Sequence, residues 1–150
     1  MLRLLTFFIF AATLTSCVAS EVVRRNQALI VGDWTVNQAN FRHETNLSGG
    51  NLTPLYEDHV VSFYPDGTTT YVAGPDSTFT GIYQILPQRA NPWNDGGTDF
   101  LIDADYVYPD GRPAFNWLGT INRLGEKRFT LAIAELDGDI VLRMRRRVAR

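Results

Sequence analysis

The chain has 150 residues, enough for one domain with a sizeable core. Its formal net charge of −2 excludes the basic excess expected of a nucleic-acid-binding domain. Its single cysteine, Cys17, excludes an internal disulfide and a cysteine-based metal centre, so a 45% hydrophobic and 12% aromatic composition must hold the domain together by burial.

In chain order, residues 1–16 read as a targeting segment. Arg3 supplies a positive start, and Leu4 to Leu14 form an apolar run of about eleven residues, too short to span a bilayer. The stretch Leu14-Thr15-Ser16-Cys17 that follows resembles the bacterial lipoprotein signal: an aliphatic residue, two small ones, then cysteine. The resemblance implies cleavage before Cys17 and acylation of its thiol and amine. Several acyl chains anchor far more firmly than one, because each buried methylene contributes about 0.8 kcal/mol. Cleavage after Val18-Ala19-Ser20 is the rival reading and would release a soluble protein; the cysteine's place directly after the apolar run favours lipidation. Val18, in place of the aspartate that lipoproteins use for inner-membrane retention, points by resemblance to the outer membrane. Residues 17–29 then read as a lipidated N-terminus and tether, with Arg24 and Arg25 available to anionic head groups.

From residue 30 to 150 the pattern is that of one β domain, with no long amphipathic helix. Eight segments rich in β-branched and aromatic residues alternate with period two: 30–38, 55–64, 68–73, 78–86, 98–107, 113–121, 128–136 and 139–147. Phe115, Trp117, Gly119 and Ile121 share one face of the sixth segment. Phe129, Leu131 and Ile133 do so on the seventh, and Ile140, Leu142 and Met144 on the eighth. Pro65-Asp66-Gly67, Pro109-Asp110-Gly111 and Asp137-Gly138 predict tight hairpins. The repeated Tyr-Pro-Asp-Gly reads as reuse of good turn chemistry rather than duplication. Two connections are long, 39–54 and 87–97, and the second carries Trp93. Asn46 and Asn51 begin glycosylation-type sequons that read as ordinary polar loop in a bacterial lipoprotein.

Eight sequential strands predict an all-β, eight-stranded antiparallel up-and-down barrel, which leaves no exposed edge. The first strand carries Gly32-Asp33-Trp34 and the last carries Arg143 and Arg145. This is similar to the lipocalin-like pattern, in which Gly-x-Trp closes one barrel end and an arginine of the last strand packs over the tryptophan. The resemblance assigns barrel closure to Gly32, Trp34 and either Arg143 or Arg145. It also implies binding of a small apolar or amphipathic ligand inside. Alternation nominates Phe63, Tyr71, Tyr83, Phe100, Phe115 and Trp117 as lining, with Trp93 at a mouth bordered by loops 39–54 and 87–97.

No catalytic pattern emerges. His43 and His59 lack a matching set of carboxylates for a metal, and Asp103 and Asp105 fall on the face opposite Phe100, Ile102, Ala104 and Tyr106, toward solvent. No nucleophile elbow, phosphate-binding glycine loop or HExxH is present. The expectation is a non-enzymatic envelope lipoprotein without cofactor, metal or nucleic-acid partner. It meets the membrane through its lipid, and its barrel is either a small-ligand carrier or, alternatively, a side-chain-filled module that binds a protein as inhibitor or complex subunit. Five arginines within residues 143–150 fit a solvated strand face, or contact with lipid phosphates or an acidic partner.

Overall fold

The computed structural model describes residues 21, 23–43, 49–87 and 100–148. Among them an α-helix, α1, covers residues 23–30. It is followed by nine strands: β1 (Gly32–His43), β2 (Gly50–Asn51), β3 (Val60–Phe63), β4 (Thr68–Val72), β5 (Thr78–Pro87), β6 (Phe100–Val107), β7 (Pro113–Asn122), β8 (Arg128–Glu135) and β9 (Gly138–Arg146). β3 pairs with β1, each later strand pairs antiparallel with its predecessor, and β9 returns to β1 along Trp34↔Arg146 to His43↔Gly138. Eight strands thus close an antiparallel barrel, as the pattern predicted and consistent with a lipocalin-like architecture. β2 adds only a two-residue pairing near the far end of β1.

The predicted alternation places the core. Ile102, Ala104 and Tyr106 on β6, Phe129, Leu131 and Ile133 on β8, and Leu142 and Met144 on β9 are all buried. A register shift between Val36 and Gln38 in β1 lets both Trp34 and Ala39 face inward although five residues separate them.

Three boundaries differ from the sequence expectation. β1 runs on to His43 because β9 offers it a partner along that length. The segment expected as a strand over 55–64 is extended only over Val60–Phe63. Thr53–Leu55 forms a 3-10 turn and Asp58 adopts φ 64°, a left-handed conformation that breaks an extended run. Most of the expected tether is α1, whose Val23 and Ile30, seven residues apart on one face, both pack on the core.

The two Tyr-Pro-Asp-Gly turns are built alike. Gly67 and Gly111 take φ 85° and 84° and donate their amides to the carbonyls of Tyr64 and Tyr108. The Asp66 and Asp110 carboxylates accept from the amides of Thr68 and Arg112. They lie at opposite ends of the barrel, because β3–β4 turns beside the start of β1 while β6–β7 turns at the other end. The same register separates the two long connections. The one after β1 leaves from the far end, whereas Pro87 and Phe100, which pair with each other, begin and end theirs at the Trp34 end. Residues 44–48 and 88–99, which make up most of these connections, lie outside the described residues.

Candidate functional site

At one end of the barrel, Trp34 is fully buried and meets Phe129 edge-on at 4.7 Å. Its indole Nε1 donates to the Ile30 carbonyl at 2.6 Å. Arg146 lies over the Trp34 ring, 4.3 Å from its centroid, and donates from Nη1 to Val31 O at 2.7 Å and from Nη2 to Leu29 O at 2.6 Å. A third bond runs from its Nε to Glu126 O. The carbonyls of Leu29, Ile30 and Val31 are those left without partners where α1 stops. A planar cation with several donors satisfies them and complements the negative end of the helix dipole.

Gly32 is required here twice over. Its φ is 128°, and a Cβ would run into the Arg146 guanidinium.

The closing arginine is therefore Arg146, and neither Arg143 nor Arg145 caps Trp34. Both are exposed; Arg143 Nη1 donates to Gln38 Oε1 on the outer face. The reason is parity: Leu142 and Met144 face inward, so the next inward position is 146. The inward face already visible in the sequence carried this signal.

The nominated lining residues all face the interior, yet they do not form one wall. Phe63 and Tyr83 meet at 4.9 Å at the Trp34 end, where the Tyr83 hydroxyl donates to Tyr64 O. Phe100 is also at that end, paired across to Pro87 and Ile121. Tyr71, Phe115 and Trp117 gather at the far end with Phe79 and Tyr106, which sequence reading did not nominate. Trp117 lies 4.9 Å and Phe115 5.6 Å from Tyr71, and Tyr106 stacks on Phe115 at 4.8 Å. Phe79 reaches Phe115 at 5.1 Å and the exposed Tyr108 at 5.4 Å. Phe79 and Phe115 remain half-buried, forming an aromatic rim. Trp93 and Cys17 lie outside the described residues.

His59 belongs to this rim. It precedes β3, shares the inward face of Val61 and Phe63, and shares a 2.6 Å hydrogen bond between Nδ1 and the Tyr71 hydroxyl, whose direction follows the tautomer. Burial lowers the His59 pKa from its ordinary 6.5, against the opposing attraction of Asp58. Burial likewise raises the Tyr71 hydroxyl, helped by Tyr56 and Tyr106, so Tyr71 stays neutral at physiological pH.

Asp103 and Asp105 point outward, as expected, and the Asn116 side-chain amide donates to both at 2.8 Å. Among the described residues no three His, Cys, Asp or Glu side chains gather to hold a metal ion, and no helix is long and apolar enough to cross a membrane.

Replacing Arg146 by Lys removes the planar fork while keeping the charge. It should cost about 2–3 kcal/mol in urea unfolding, since hydrogen bonds from charged groups contribute about 1.5–3 kcal/mol each. Arg143→Lys and Arg145→Lys should stay within about 0.5 kcal/mol. A lowered His59 pKa means the unfolded chain binds that proton first as pH falls. The associated stability is complete above the unfolded value near 6.5 and is lost on descending toward the folded value. Urea midpoints at pH 7.5 and 5.5 should therefore differ more in the parent than in His59→Gln. The chain matches no protein-family model, no curated protein and no solved structure.

Proposed function

We propose that this chain is an envelope lipoprotein, held to the membrane by lipid on Cys17, whose lipocalin-like barrel binds a small apolar or amphipathic molecule at its aromatic end. The observation that carries the binding reading is the convergence of Tyr71, Phe79, Tyr106, Phe115 and Trp117 around the His59–Tyr71 polar pair. Predominantly aromatic walls with a few fixed polar groups are what a site for such a ligand requires. Because the opposite end is occupied by Trp34, Arg146 and α1, a ligand has access from the rim, where Phe79 and Phe115 are half-buried. The anchor rests on the Leu14-Thr15-Ser16-Cys17 motif and its place after the apolar leader. This reading assigns binding rather than catalysis.

One observation favours a second reading. The interior rings touch one another at centroid distances of 4.8–6.0 Å, which suits a filled barrel serving as a scaffold for a protein partner.

Native mass spectrometry and solvent extraction of the purified protein separate the two. A co-purifying small amphipathic molecule, or an environment-sensitive dye whose binding falls about tenfold in Phe115→Ala, supports the ligand reading; tenfold corresponds to about 1.4 kcal/mol of lost contact. A bare mass with no dye uptake overturns it in favour of the scaffold. For the anchor, Cys17→Ser should move the protein from the membrane fraction to the soluble one, and unchanged retention defeats the lipid assignment.

A further inference from the structure

The outer face of β8, β9 and β1 is unlike the rest of the barrel. It forms a concave surface of about 840 Å³ to which Arg42, Arg123, Arg128, Arg143 and Arg145 contribute and no carboxylate does. The strand registers make this concentration specific. Arg128 stands directly opposite Arg145, and one step along Thr130 stands opposite Arg143. Like charges placed opposite each other on neighbouring strands destabilise a sheet, so packing does not account for the Arg128–Arg145 pair. Among the described residues none of these five guanidiniums lies within 4.0 Å of a carboxylate; the ion pair found there joins Arg112 to Asp110. Acids flank this face rather than enter its concavity: Asp139 stands opposite Arg42 on β1 and Ala134 on β8, Asp33 is exposed two residues before Thr35, the partner of Arg145, and Glu135 is at the far end of β8. The outer face of β6 instead carries Asp103 and Asp105, so the concavity lined by arginines and no carboxylate stands out on a chain of net −2.

Arg145 also borders a second groove, of about 590 Å³, between α1 and the end of β9. There Ala28, Leu29 and the exposed Val148 stand beside Lys127, Arg145 and Arg146, with Glu126 as the single acid. Cationic side chains next to exposed apolar ones are the chemistry of a lipid–water interface. Chain length gives the surface its occupant. α1 covers the same barrel end, with Val23 and Ile30 on the core, and only five residues lie between Val23 and Cys17, so that six residue steps reach at most about 20 Å. Arg24 and Arg25, which follow Val23 on α1, are exposed.

We propose that the barrel docks on the anionic membrane surface through this arginine face, which takes phosphodiester headgroups between Arg128, Arg143 and Arg145 while Leu29 and Val148 meet the apolar boundary. The orientation follows: β8, β9 and β1 lie toward the membrane, β6 faces away, and the aromatic rim remains accessible at the end opposite α1. The proposal rests on the lipoprotein reading for the nearness of the membrane, but the headgroup affinity of the face is measurable without the lipid.

The test uses the mature chain from residue 17 carrying Cys17→Ser, mixed with vesicles of phosphatidylglycerol or of phosphatidylcholine and followed by sedimentation. Binding to phosphatidylglycerol, weakening steeply from 50 to 300 mM salt and at least tenfold weaker on phosphatidylcholine, is the expected result. Arg128→Gln with Arg145→Gln should weaken it about tenfold or more, with thermal unfolding unchanged or improved by relief of the like-charge pair. Arg143→Gln alone gives an independent arm, expected to lose a few fold. Equal binding to both vesicles, or undiminished binding in the variants, overturns the proposal. So does displacement by millimolar inorganic phosphate beyond the effect of chloride at equal ionic strength, which would mark a site for a small free anion. If the wild-type chain proves unlipidated in cells while the vesicle result stands, the anchor reading fails and the headgroup site remains.

Discussion

The Arg146 guanidinium over the Trp34 indole is the contact on which the rest of the structure depends. It joins the last strand to the end of α1 and the first strand, which lie at the other end of the chain. The carbonyls of Leu29, Ile30 and Val31 need donors where the helix stops, and two side chains from the barrel supply them. Trp34 and Arg146 are themselves register partners in the β1–β9 ladder, so the contact that seats the helix also sits on the seam that closes the barrel. Gly32 makes room for it, and Phe129 supports the indole edge-on.

Closing one end in this way gives the molecule a direction. The Trp34 end is covered by α1 and lies within a short length of chain of Cys17, while the aromatic rim is at the other end. Arginines collect on the outer face of β8, β9 and β1 and carboxylates on β6. Under the proposed lipid anchor, a barrel with its plug beside the tether, its cations on one side and its aromatic rim at the far end can lie against an anionic surface without hiding the rim. The His59–Tyr71 pair at that rim, like the Tyr106–Thr69 hydroxyl pair, keeps a polar link among the rings, and His59 does so at the cost of sensitivity to acid.

Where sequence reading succeeded, a local rule was enough. Alternation placed Ile102, Leu131 and Leu142 inside and Asp103 and Asp105 outside because a strand has only two faces. The Tyr-Pro-Asp-Gly turns formed because proline, aspartate and glycine act on their own neighbours. Where it failed, the deciding partner was distant. Among the described residues of α1, Val23 and Ile30 are the apolar side chains packed on the core, and the helix is held because Trp34 and Arg146 wait at its end. Arg146 went unrecognised among neighbouring arginines although the parity of Leu142 and Met144 marked it. The segment 55–64 looked like a full strand until Asp58 turned left-handed and Thr53 bonded back to Ala39.

The sequence by itself determined the all-β class, the strand count of the barrel and the inward face of most strands. Each of these depends on periodicity, turn chemistry or a contiguous run of residues. Only the tertiary structure decided that residues 23–30 plug the barrel, that the nominated rings divide between two ends, and that Arg128 faces Arg145 across a strand pair. Those outcomes depend on strand register and on how the end of α1 meets the barrel, neither of which a local run of residues specifies.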